Sequence, residues 1–199
     1  MPSQSRTKLK LLKDQLGNSS IVFLGMMGCG KSAIGKMVAT KLGMPFQDSD
    51  VAIEQAAGRS VREIFEEYGE PEFRRLETRV IERLLTEDGP MVLALGGGAF
   101  MAEETRSNIR NHAISIWLKA DLELLLARVS KRPGKRPLLK TGNPREILER
   151  LLVEREPVYS QAELHVMSRN GSKAETRDHV IGELGQHLNS HTSHIASNQ

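Results

Sequence analysis

The sequence has a single cysteine, Cys29, so no intrachain disulfide can form and a reducing compartment is its natural setting. Aromatic residues make up only 4% of it, which leaves few platforms on which the bases of a single-stranded nucleic acid could stack. No apolar run approaches the roughly 18 residues that a membrane span requires. The opening segment, MPSQSRTKLKLLKDQL, is polar and basic and lacks the apolar stretch of a secretory signal. There is no internal repeat. Basic and acidic residues mix along most of the chain, but the stretch from Arg128 to Lys140 carries six cations and no acid. These absences point to a cytoplasmic protein that engages neither membrane nor nucleic acid, although the net charge is +3 and the pI about 9.1.

What is present fits one soluble globular domain. The chain has 199 residues, 39% of them apolar, enough for a core without disulfides or structural metal. Residues 1–19 read as an N-terminal extension, partly disordered, with a weak helical stretch from Lys8 to Leu16. Residues 188–199 read as a frayed tail. Between them, short apolar runs alternate with helical periodicity. Strands are expected at Ile21–Leu24, Pro45–Gln47, Met91–Leu95, Ile114–Leu118 and Leu164–Met167. Helices are expected at Lys31–Leu42, Asp50–Ala57, from Ser60, at Pro71–Leu85, Ala102–Asn108, Asp121–Val129, Pro144 to about Ala162, and Lys173–His187. Ser60 and Glu63 form a capping box at the start of one of them. Such alternation predicts an α/β fold with a parallel sheet covered on both faces, and ligands bound at the carboxyl ends of its strands.

Gly25-Met26-Met27-Gly28-Cys29-Gly30-Lys31-Ser32 matches G-x-x-x-x-G-K-S between an expected strand and an expected helix. Its glycines let backbone N–H groups converge on phosphate oxygens, and the helix N-terminus adds positive potential. Lys31 would neutralise the β- and γ-phosphates, and the Ser32 hydroxyl would bind Mg²⁺. The nucleotide-contacting set is Gly28, Cys29, Gly30, Lys31, Ser32 and Ala33. A thiol beside Lys31 and a helix N-terminus is also expected to have thiolate character and to react near the phosphates.

Four further features stand at or near strand ends. Asp48-Ser49-Asp50 follows the second strand; helix capping accounts for one of its acids, Asp50, and leaves the pair unexplained. Arg74 and Glu77, three apart in FRRLE, share a helix face, as a functional pair or an ordinary surface one. Gly96-Gly97-Gly98 closes a buried strand, MVLAL, that offers no metal-binding Asp, so Asp48 is the candidate for the metal shell. Lys131 to Leu139 (KRPGKRPLL) breaks two helices with cations, two prolines and a glycine, which suits a mobile lid, at about 130–142, or a solvated basic loop.

Taken in order, GMMGCGKS, DSD at 48–50, FRRLE at 73–77, GGG at 96–98, RPLL at 136–139 and REPVY at 155–159 resemble the shikimate kinase family over residues 20–187. The resemblance implies a nucleoside-monophosphate-kinase-like P-loop fold with a five-stranded sheet in the order 2-3-1-4-5, a substrate-binding helical segment and a lid. It implies that Asp50, Arg74, Gly96, Gly97, Gly98 and Arg155 hold shikimate. Asp48 would join the magnesium shell partly through water, Arg136 would close from the lid, and Arg132 and Arg169 would meet the adenine. ATP and shikimate are then the partners, the catalytic residues are Lys31, Asp50 and Arg136, and a monomer is expected. A kinase of another polyol or sugar acid, such as gluconate, and a nucleotide-binding regulator are the competing readings.

Overall fold

The computed structural model describes residues 3–131 and 142–196. Five parallel strands form one sheet: β1 (Ser20–Leu24), β2 (Phe46–Asp48), β3 (Val92–Ala94), β4 (Ala113–Lys119) and β5 (Leu164–Met167). Their order is β2-β3-β1-β4-β5, as the family resemblance implies. β1 runs in the middle, with Ile21 opposite both Val92 and Ile114. Every residue of β1 is buried, because helices cover both faces and neither face of the central strand reaches water.

The helices are α1 (Ser3–Leu16), α2 (Lys31–Leu42), α3 (Ser49–Ala57), α4 (Val61–Thr86), α5 (Glu103–His112), α6 (Leu122–Ser130), α7 (Pro144–Tyr159) and α8 (Lys173–Ala196). α2 and α8 pack together against the sheet, α1 lies across both, and α4 and α5 pair with each other, α5 against β4. Among the described residues, no helix is long and apolar enough to cross a membrane.

Three expectations change. The N-terminal segment is helical from Ser3, and Leu12 and Leu16 are core residues, because α8 and α2 supply the apolar surface that this helix lacks alone. Lys13 Nζ also donates to Gly43 O at 3.1 Å, placing a cation at the carboxyl end of α2. The last helix runs past His187 to Ala196. The two helices expected from Ser60 and at Pro71 follow one another as α4, broken at Gly69, whose φ of 78° and ψ of 173° are open to glycine and little else. The capping box forms as expected: Ser60 N–H donates to Glu63 Oε2 at 2.8 Å and Glu63 N–H to Ser60 Oγ at 3.2 Å.

Candidate active site

A cleft of about 1410 Å³ opens at the carboxyl ends of the strands. One end is the loop between β1 and α2. Gly25, Gly28 and Gly30 all have positive φ. At Gly25 a Cβ would also fall 2.6 Å from Leu118 O, so no side chain fits. No side chain caps α2, whose first N–H groups therefore stay available to an anion. Lys31 Nζ bends back onto the loop, donating to Gly25 O at 2.8 Å and Met26 O at 3.2 Å. Ser32 and Ala33 line the same wall.

The carboxyl ends of β2 and β3 bring up the acidic side. Asp48, not Asp50, caps α3, with Oδ1 accepting from Asp50 N–H at 3.2 Å. Its Oδ2 accepts from the Ser32 hydroxyl at 2.5 Å, so hydroxyl and carboxylate already meet at the phosphate loop. The cap being Asp48, the Asp50 side chain is left to the cleft. Asp50 opens to the cleft on one side and is enclosed by protein on the others. That enclosure, with the Asp48 charge beside it, raises its carboxyl above the usual range despite Lys31 and Arg74. Ser49, fully buried between the two acids, accepts from Gly96 N–H at 2.7 Å and ties this segment to the glycine run.

The glycine run is the point of closest approach. A Cβ on Gly96 would sit 2.6 Å from Asp50 Oδ1 and 2.9 Å from Glu77 Oε1, and one on Gly98 would sit 2.6 Å from Arg74 Nη2. Three glycines are used because carboxylates and guanidinium converge where side chains would otherwise stand. Arg74 Nη1 donates to Glu77 Oε2 at 2.5 Å, and Nη2 to Glu70 Oε1 at 3.0 Å. The Arg74–Glu77 pair is not a surface pair, since Glu77 is 2% exposed. Phe73 lies under the Arg74 guanidinium at 5.1 Å and against Phe65 at 4.4 Å, and both rings line the cleft. From α7, the buried Arg155 donates through Nη1 to Gly97 O at 2.8 Å, and its Nε has no partner among the described residues.

Burial raises the Glu77 carboxyl, outweighing the pull of Arg74. A carboxyl raised in the folded state contributes stability fully below its ordinary value of 4.5, and that contribution is lost as pH rises through the folded value. Glu77→Gln removes this loss. Measured against the parent, its melting temperature is expected to gain as pH rises from below 4.5 to neutral, because only the parent loses the contribution of a protonated Glu77 over that range. Melting curves across that range check the sign, and a constant gap would show that Glu77 does not carry it.

Cys29 departs from expectation. Its backbone belongs to the loop, but the thiol is fully buried, with Sγ 3.1 Å from the point a Cβ on Gly25 would take. The native protein is therefore expected to resist thiol reagents and keep its activity, labelling only in denaturant. Fast labelling of the native protein, with nucleotide protection, would restore the sequence expectation.

Two features of the cleft were not singled out from the sequence. Arg128, in the last turn of α6, donates through Nη1 to Cys29 O at 3.0 Å and Ser168 Oγ at 2.9 Å, and through Nη2 to Arg169 O at 3.1 Å. It thus joins the phosphate loop to the loop after β5, where Arg169 lines the cleft. Its only sequence signal was its place as the first cation of the acid-free basic stretch. Phe65 had none. Arg132 and Arg136 lie outside the described residues.

A glycine cradle for phosphates and a carboxylate–arginine lobe facing it across one cleft, on a 2-3-1-4-5 parallel sheet, define a P-loop kinase. The shikimate kinase family model matches residues 27–186. A shikimate kinase of Mesorhizobium japonicum is 52% identical over 180 residues, 90% of this chain and 88% of that one. The solved structure of a shikimate kinase from Acinetobacter baumannii, in complex with shikimate, superposes with a TM-score of 0.79 at 34% identity, covering 85% of this chain and 94% of its own. The chain belongs to the shikimate kinase family. A gluconokinase from Sinorhizobium meliloti, at 18% identity and a TM-score of 0.61 over 89% of this chain and 97% of that one, shares the fold alone.

Proposed function

We propose that this cleft transfers the γ-phosphoryl group of ATP to the 3-hydroxyl of shikimate, giving ADP and shikimate 3-phosphate. The observation that carries the reading is the setting of two guanidiniums around backbone bare of side chains. Arg74 stands within 2.6 Å of the Cβ position of Gly98, and Arg155 within 3.4 Å of that of Gly97. Two such forks suit a carboxylate, and Asp50, across Gly96, suits a neighbouring ring hydroxyl. At the other end, the amides of the phosphate loop hold the ATP phosphates. The base end of the nucleotide would lie toward Arg128 and the loop at Arg169, with Arg132 against the adenine.

The reaction is an in-line displacement. The acceptor oxygen bonds to the γ-phosphorus as the bond to the departing ADP oxygen breaks, and the hydroxyl proton passes late to Asp50. Lys31 leaves its two loop carbonyls for the transferring phosphoryl group, whose charge it offsets. Arg136 joins it from the lid. Ser32 and Asp48 are hard oxygen donors already in contact, which fits a magnesium ion that keeps several waters. Bound there, the ion supplies charge neutralisation at the β- and γ-phosphates. We infer that the chain acts as a monomer in the cytoplasm, on the route to chorismate and the aromatic amino acids.

Initial rates of ADP release with ATP and either shikimate or gluconate test the reading. Turnover stimulated by shikimate and not by gluconate is expected. ATP turnover indifferent to every acceptor would leave a nucleotide-binding regulator instead.

A further inference from the structure

Two donors from one helix converge on a single carbonyl beside the acceptor seat. Arg155 Nη1 donates to Gly97 O, and so does the hydroxyl of Tyr159, one helical turn further along α7. Tyr159 is only 1% exposed. Trp117 of β4 meets its ring edge-on at 5.9 Å, and Phe100 stands at 6.5 Å on the turn after the glycine run. The hydroxyl therefore has a fixed address, set by a strand, a turn and a helix that are remote in sequence. Burial pushes the phenol up to about 12, so it remains a donor across the working pH range.

The consequence lies in the peptide that follows. In a trans peptide the N–H of the next residue points opposite to the carbonyl. With Gly97 O drawn toward α7, the Gly98 N–H is turned away from α7. Among the described residues no acceptor within the chain takes it. Without a side chain at 97 or 98, this peptide would flip easily unless something held it. Arg155 alone is a poor anchor, because the same guanidinium is wanted by the substrate carboxylate.

We propose that Tyr159 is a positioning residue for the acceptor: its hydroxyl locks the Gly97–Gly98 peptide, so that the Arg155 guanidinium is released to the acceptor carboxylate while the Gly98 amide stays available to the acceptor on the face turned away from α7. The inference rests on the reading of Arg155 and Gly98 as that seat. Tyr159 touches no substrate and acts only through this peptide. Removing its hydroxyl should therefore weaken the acceptor and spare the nucleotide.

Tyr159→Phe keeps the ring and its packing while deleting one hydrogen bond. Calorimetric titration is expected to show shikimate binding weakened about 3- to 10-fold, the range of a single neutral hydrogen bond, with ADP affinity changed less than about twofold. Steady-state kinetics should follow suit, with shikimate KM raised and ATP KM unmoved. Equal losses for shikimate and ADP, no loss for shikimate, or failure of the variant to fold would each overturn the proposal, the last by making the hydroxyl a stability element. Arg155→Ala, measured in parallel, separates the two readings. If it leaves shikimate affinity intact, the carboxylate seat itself is misplaced; if it abolishes affinity while Tyr159→Phe does not alter it, only the role of Tyr159 fails.

Discussion

Lys31→Ala is expected to lower kcat about 10²- to 10³-fold, the loss typical of removing one group aimed at charge that develops in the transition state. ADP affinity should fall much less. The amides of the phosphate loop and the uncapped first turn of α2 would hold the resting phosphates without it. Lys31 is also poised for the later role. With no phosphate to meet, its ammonium is shared between Gly25 O and Met26 O, two neutral carbonyls that it can leave for a more strongly charged partner. Lys31→Arg should not restore the rate, because a planar fork cannot reproduce the compact ammonium inside a turn where Gly25 admits no added atom. Single-turnover rates set beside ADP affinities check this. Equal losses in both would make Lys31 a ground-state anchor.

Arg74→Ala is expected to cost shikimate binding about 2–5 kcal/mol, the price of stripping one partner from a buried charge-assisted pair. ATP binding should be spared, since the phosphate loop is at the far end of the cleft. The loss has two sources. The acceptor carboxylate loses a guanidinium, and Glu77, almost wholly buried, loses the cation that offsets its charge. Glu77 then stays protonated to still higher pH, so the variant should also melt lower than the parent at neutral pH. Arg74→Lys should recover stability better than affinity, because a point charge can pair with Glu77 but cannot serve Glu77, Glu70 and a carboxylate at once. Shikimate titration and melting curves on both variants test this. An unchanged shikimate KM in Arg74→Ala would remove Arg74 from the acceptor seat.

The parts legible in the sequence are those whose chemistry is local. The phosphate loop is one: positive φ at Gly25, Gly28 and Gly30, and a lysine at the helix start, follow from eight consecutive residues. The same holds for the Ser60–Glu63 capping box and for the alternation that announced a parallel sheet. Asp48 and Asp50 were legible as a pair, but which of them capped the helix was not. The cap depends on one torsion at Asp48, which Ser32, sixteen residues earlier, helps to hold.

The amino-acid sequence alone determined the class of fold, the phosphate cradle and the set of acids, glycines and arginines from which the acceptor side is built. Periodicity, turn chemistry and short motifs act within a few residues of one another. The tertiary structure alone decided which way those groups face. It turned the Cys29 thiol into the core, buried Glu77 behind Arg74, and brought Arg155 and Tyr159 onto the carbonyl of Gly97 from about 60 positions away. It also made the N-terminal helix part of the core. Leu12 and Leu16 have nothing to bury against until α8, the last element of the chain, has folded beside α2. Contacts of that range depend on the summed packing of the whole sheet and its helices, and no window of the sequence contains both partners.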